Sequence, residues 1–123
     1  IYVEPASIAY QEFDAVRQSF VRCLDALLGS GCRVAIATHD EWLIGRALER
    51  VDGLDPSDYE LQMLLGVRDD RARELVAAGH PLRIYVPYGH QWYEYSLRRL
   101  QENPKIAGYV AKDVLARMLP GKH

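Results

Sequence analysis

Between residues 83 and 104 the chain reads RIYVPYGHQWYEYSLRRLQENP, a short apolar run leading into an aromatic segment with two adjacent arginines. If the segment after Gly89 is helical, Trp92, Tyr95, Arg99 and Glu102 fall at steps of three and four. They then form one stripe, with Arg98 beside it. Two guanidinium forks on such a face match a small carboxylate bidentately. The competing reading is a solvated helix end, where the macrodipole alone favours arginine by about 0.3–1 kcal/mol.

Polar residues gather at three points: ATHD at 37–40, YELQ with the following LLGVR at 59–68, and YVPYG at 85–89. Taken singly each has an ordinary explanation. His39 just before a helix is a local hydrogen-bonding residue, Asp69 and Asp70 are helix N-terminal charge, and Tyr85, Tyr88, Trp92 and Tyr95 are packing residues with polar tips. His80 and His90 read as loop residues.

The elements that must position these residues alternate. Residues 11–29 place Phe13, Val16, Phe20, Leu24, Leu27 and Leu28 at helical spacing, stopped by the Gly29, Ser30, Gly31 cluster. RVAIATHD is a strand ending at Asp40, an N-cap for a helix that turns Leu43, Ile44, Ala47, Leu48 and Val51 inward. DPSD breaks the chain, YELQMLLG is a second strand, and DDRARELVAAG a third helix with acids at its start and Gly79 at its end. PLRIYVPYG is a third strand, and residues 90–103 form a fourth helix that Pro104 ends. Strands starting near 33, 59 and 82, each followed by a helix, have the rhythm of parallel βα units, so the fold class is α/β. In such folds functional residues gather at the C-terminal ends of strands, where the three polar stretches lie.

Composition narrows the function. The chain has 123 residues, 49% hydrophobic and 26% charged, as in an ordinary folded domain or a piece of a larger one. A net charge of −2 gives no basic field for nucleic acid and no polybasic membrane patch. Cys23 and Cys32 lack CxxC spacing and a histidine cluster, so neither zinc nor a disulfide framework is expected, and a reducing cytoplasm fits. No apolar run is long enough to span a membrane, and nothing at the N-terminus has signal-peptide character. Lys122 and His123 are set aside as a tag remnant. No glycine-rich phosphate loop is present.

In order, these motifs resemble the proline dehydrogenase family, flavin-dependent enzymes that oxidise L-proline, and most of all its single-function bacterial type. YVEP at 2–5 is similar to the end of the family's Lys-Gly-Ala-Tyr-x-Glu-Pro segment, although Ile1 stands where alanine is expected. ATHD, YELQMLLGVR, RIYVPYG and WYEYSLRRLQENP follow in the family's order and spacing.

The resemblance implies a (β/α)8 TIM-like barrel, which needs about 250 residues. Residues 1–123 are therefore expected to be the C-terminal half, with the N-terminal half absent from this chain, along with a lysine and an aspartate that help bind proline. It implies oxidation of L-proline to 1-pyrroline-5-carboxylate by hydride transfer to FAD, in proline catabolism. The electrons pass to a quinone, in a cytoplasmic protein with peripheral contact at the inner membrane. The half-barrel alone is expected to be inactive.

The roles carried over are specific. Arg98 and Arg99 pair with the proline carboxylate, Glu102 orients them, Tyr85 lies beside the substrate, and Leu64 packs on its ring. Thr38, His39 and Asp40 contact the flavin, with Gln62 and Tyr109 as weaker cofactor contacts because KIAGYVAK departs from the family pattern. No metal is implied. The alternative from another class is a self-contained small α/β module for binding or dimerisation without catalysis.

Overall fold

The computed structural model describes residues 4–102 and 104–118. Among the described residues five helices and three strands follow in the order α1 (Phe13–Gly29), β1 (Val34–Ala37), α2 (Glu41–Val51), β2 (Tyr59–Leu64), α3 (Asp69–Ala77), β3 (Leu82–Tyr85), α4 (Trp92–Glu102) and α5 (Pro104–Met118). The strands form one parallel sheet in the order β1-β2-β3, with Val34 opposite Tyr59 and Leu61 opposite Leu82. The α/β class expected from the sequence is the one observed, as a three-stranded parallel sheet with helices.

Alternation along the strands separates two faces. Val34 and Ile36 of β1 and Tyr59, Leu61 and Met63 of β2 pack against Leu24 of α1, Ile44, Ala47 and Val51 of α2, and Ala72 and Leu75 of α3. Ile36, Ile44, Leu75 and Val51 are the largest fully buried side chains of this core. Among the described residues, no helix is long and apolar enough to cross a membrane.

The other face carries Ala35 and Ala37, then Glu60, Gln62 and Leu64, then Arg83 and Tyr85. Here Glu60 is buried and tied on both sides. Arg83 Nε and Nη2 donate to it at 2.6 and 2.9 Å, Arg33 Nη2 at 3.0 Å, and Gln62 Nε2 at 2.7 Å. One carboxylate thus holds together the bases of three strands. The Arg83 hydrogen bonds, then that of Gln62, depress its pKa from 4.5 to about 2.

Local chemistry explains where helices start and stop. The Asp40 carboxylate accepts from the Trp42 and Leu43 amides at 2.9 and 3.2 Å, capping α2 as its sequence predicts. At the end of α3, Gly79 takes φ 92°. Its N–H reaches the Val76 carbonyl at 2.9 Å and the His80 N–H reaches Leu75 at 3.1 Å, the paired bonds of a Schellman ending. His80 is more than a loop residue, since its Nδ1 hydrogen-bonds the buried Tyr59 hydroxyl at 2.8 Å. Pro104 ends α4 as expected, but it also opens α5, a helix the sequence reading did not find.

Candidate functional site

A cleft of about 630 Å³ lies at the C-terminal ends of the strands. It gathers Thr38, His39 and Asp40 from the end of β1, Gln62 and Leu64 from β2, Tyr85 from β3 and Tyr109 from α5. These are seven of the site residues expected from the sequence. Parallel strands put their C-terminal ends on one side, and the polar stretches lie at or just beyond those ends, so the topology brings them together, with Tyr109 added from α5.

Within the cleft the expected residues are not equivalent. Asp40 accepts two hydrogen bonds from Arg17 Nη2, at 2.9 and 2.8 Å, and one from Arg17 Nε at 3.2 Å, besides capping α2. Its amide donates to the Thr38 hydroxyl oxygen at 3.1 Å, which tightens the turn. Asp40 therefore shapes the cleft wall through a helix start and an ion pair. His39 Nε2 accepts the Leu64 amide at 3.0 Å, joining the ends of β1 and β2. Burial, then the nearby Arg68 charge, pushes the His39 pKa below the usual imidazole range. The ring is therefore neutral at physiological pH.

Several lining residues had no sequence signal. Arg17 stacks 4.2 Å from the Phe13 ring centroid and 5.3 Å from that of Trp42, and Arg46 approaches Trp42 at 5.3 Å as well. Lys105 lies 4.2 Å over Phe13. Arg17 meets Asp40 across 23 residues of sequence, a separation that no local pattern announces.

The arginine pair of α4 divides. Arg99 is buried, only 7% exposed, with its guanidinium 5.1 Å from the Tyr95 ring, so the Tyr95–Arg99 part of the expected stripe is present. It borders a second, smaller hollow of about 200 Å³, with Leu64, Leu65, Gly66, Val67, Pro87 and Leu100 among its walls. Leu64 and Tyr95 line both hollows, and Tyr85 meets Tyr95 with ring centroids 6.1 Å apart. Arg98 is exposed and lines neither. Trp92 is also exposed and packs edge-on against Tyr93. The side chain of Glu102, and Tyr2 and Val3 of the YVEP motif, lie outside the described residues. Among the described residues no group of three or more His, Cys, Asp or Glu could hold a metal ion.

Comparison with known proteins places residues 5–112 under the family model described as proline dehydrogenase. The proline dehydrogenase of Deinococcus radiodurans is 38% identical over 116 residues, covering 93% of this chain and 37% of that protein. Proline dehydrogenase 1 of Bacillus subtilis is 36% identical over 118 residues, covering 94% of this chain and 39% of that protein. The human mitochondrial proline dehydrogenase 1 is 32% identical over 117 residues, covering 82% of this chain and 20% of that protein. The chain thus spans well under half the length of these relatives.

Proposed function

This chain belongs to the proline dehydrogenase family, and from that premise we propose that it supplies the C-terminal half of a (β/α)8 barrel oxidising L-proline to 1-pyrroline-5-carboxylate. The observation that carries this reading is the cleft in which Thr38, His39, Gln62, Leu64, Tyr85 and Tyr109 converge at the strand ends.

The lining fits a flavin. Its walls are apolar and aromatic, with Val16, Met63, Leu64, Trp42, Tyr85 and Tyr109 for a planar ring. Polar contacts come from Thr38, from neutral His39 and from Gln62, and Arg17 and Lys105 bring positive charge suited to phosphate. Thr38, His39, Gln62 and Tyr109 would hold FAD, which when bound would supply hydride acceptance for the oxidation of proline and electron transfer onward to a quinone.

The chain's own part is positioning. Arg99, held beside Tyr95, and Arg98 on the preceding position bind the carboxylate, with Glu102 orienting them. Leu64 and Tyr85, at the ends of neighbouring strands, pack the ring and keep water from it. Orientation of this kind supplies much of the rate, and no nucleophile or metal is required of the protein. The site works in the cytoplasm, with peripheral contact at the inner membrane for access to the quinone, and the chain by itself lacks turnover.

The test is a visible spectrum of the full protein that carries this chain, before and after L-proline. A yellow protein bleached by proline is expected. A colourless, proline-inert protein overturns the reading and leaves the non-catalytic α/β module.

A further inference from the structure

Arg68 is the one described non-glycine residue with positive φ, at φ 55° and ψ 49°. L-residues avoid this left-handed conformation, and a large side chain found there is held by its surroundings. Here the holding contacts all lead to the cleft. Nη1 donates to the His39 carbonyl at 3.0 Å and Nη2 to Glu41 Oε2 at 2.6 Å, while the guanidinium lies 5.3 Å from the Tyr109 ring. Glu41 is gripped a second time by Arg71 Nη2 at 2.8 Å. The turn between β1 and α2 is therefore clamped from the start of α3.

The clamp holds the His39 backbone and sets the Arg68 charge beside a ring whose proton position the Leu64 amide selects. His39 Nε2 accepts the Leu64 amide, so the neutral ring must carry its proton on Nδ1. Protonating Nε2 would break that bond, and it would place a second cation beside Arg68. The other charges near the ring do not reverse this. Asp40 is engaged by Arg17 and two helix amides, Glu41 by Arg68 and Arg71, and Lys105 adds positive charge. Tyr85 and Tyr109 share the same cleft.

We propose that Arg68 is a positioning residue of the cleft: it fixes His39 as a neutral donor, through Nδ1–H, for a proton-free acceptor atom of the occupant. The acceptor is a carbonyl oxygen, an unprotonated ring nitrogen or an anionic oxygen. An ammonium or amide N–H of the occupant is refused at that point. The assignment stands on contacts inside this chain and does not depend on the occupant being a flavin.

Long-range nitrogen–proton NMR correlations of the full protein that carries this chain, taken across pH, test it, with His39 identified by the signals lost in His39→Asn. In the wild type the Nδ1–H tautomer should dominate, with a titration midpoint below the ordinary 6.5. Arg68→Gly suits the left-handed backbone and should fold. It should raise the His39 midpoint and mix the tautomers. Arg68→Lys keeps the charge without the planar fork, so the midpoint should stay low while the tautomers mix. An Nε2–H tautomer in the wild type overturns the proposal. So do wild-type tautomer and midpoint in the folded Arg68 variants.

Discussion

Asp40 and Arg99 are the residues whose local duties can be separated from binding. Asn at position 40 keeps an N-cap oxygen but loses the charge-assisted pair with Arg17, whereas Ala loses both. Asp40→Ala should therefore cost about 1 kcal/mol more than Asp40→Asn in urea denaturation, the usual size of a cap. Equal losses would remove the cap from the account. At the arginine pair, Met at either position should lower kcat/KM for proline about ten- to a hundredfold in the full protein, if both hold the carboxylate. Folding should respond differently. The exposed Arg98 should change stability by less than about 0.5 kcal/mol, and Arg99 by about 0.5–2 kcal/mol through its contact with Tyr95. Wild-type kinetics in Arg98→Met would reduce the clamp to one arginine. Six of the cleft residues were legible because each lies at a strand end or in a recognisable motif, and Tyr109 only weakly, through a segment that departs from the family pattern. Arg17 and Arg68 were not, since one acts across long sequence separation and the other in a backbone conformation that arginine does not advertise.

Helices and strands report on themselves through their core and their ion pairs. Ile44 on α2 is fully buried in the core, so Ile44→Ala should cost about 2–5 kcal/mol in denaturant unfolding. A loss under about 1 kcal/mol would mean that α2 does not anchor the sheet. Glu60 gives a pH signature. Its carboxyl titrates at about 2 when folded and near 4.5 when free. Its contribution is thus present above about 4.5 and is lost as pH falls from there towards 2. Glu60→Gln should flatten the stability profile across that acid window and leave its slope near neutrality unchanged, as urea melts at successive pH values would read. The three strands were legible from apolar runs spaced along the chain, and α1 to α4 from helical periodicity and caps. Helix α5 was not, because Pro104 reads as a stop when it can equally begin a helix, and Gly108 interrupts the following pattern.

At the scale of the whole molecule, the helices α1, α2 and α3 contribute to the core on one face of the sheet, and among the described strands β1 and β3 are edges. Ala35, Ala37 and Tyr85 on the opposite face are exposed. Unpaired parallel edges beside apolar surface favour association. The 123-residue chain expressed alone should therefore form oligomers whose mass rises with concentration in light scattering. A monodisperse monomer at high concentration would show that the edges are protected. Sheet topology was readable because parallel βα units follow from rhythm. Barrel closure cannot be read from rhythm, since open and closed sheets share the same repeat.

Trp42 stands at the cleft wall with the guanidinium groups of Arg17 and Arg46 each 5.3 Å from its ring centroid. An indole with two cations beside it has an emission tuned by the field across its ring, and an occupant of the cleft alters both that field and the local water. The protein thereby carries its own optical gauge of occupancy. Trp92 is the other indole of these 123 residues, so with Trp92→Phe the emission of Trp42 would be this chain's own report of loading of the cleft, without a label and without turnover.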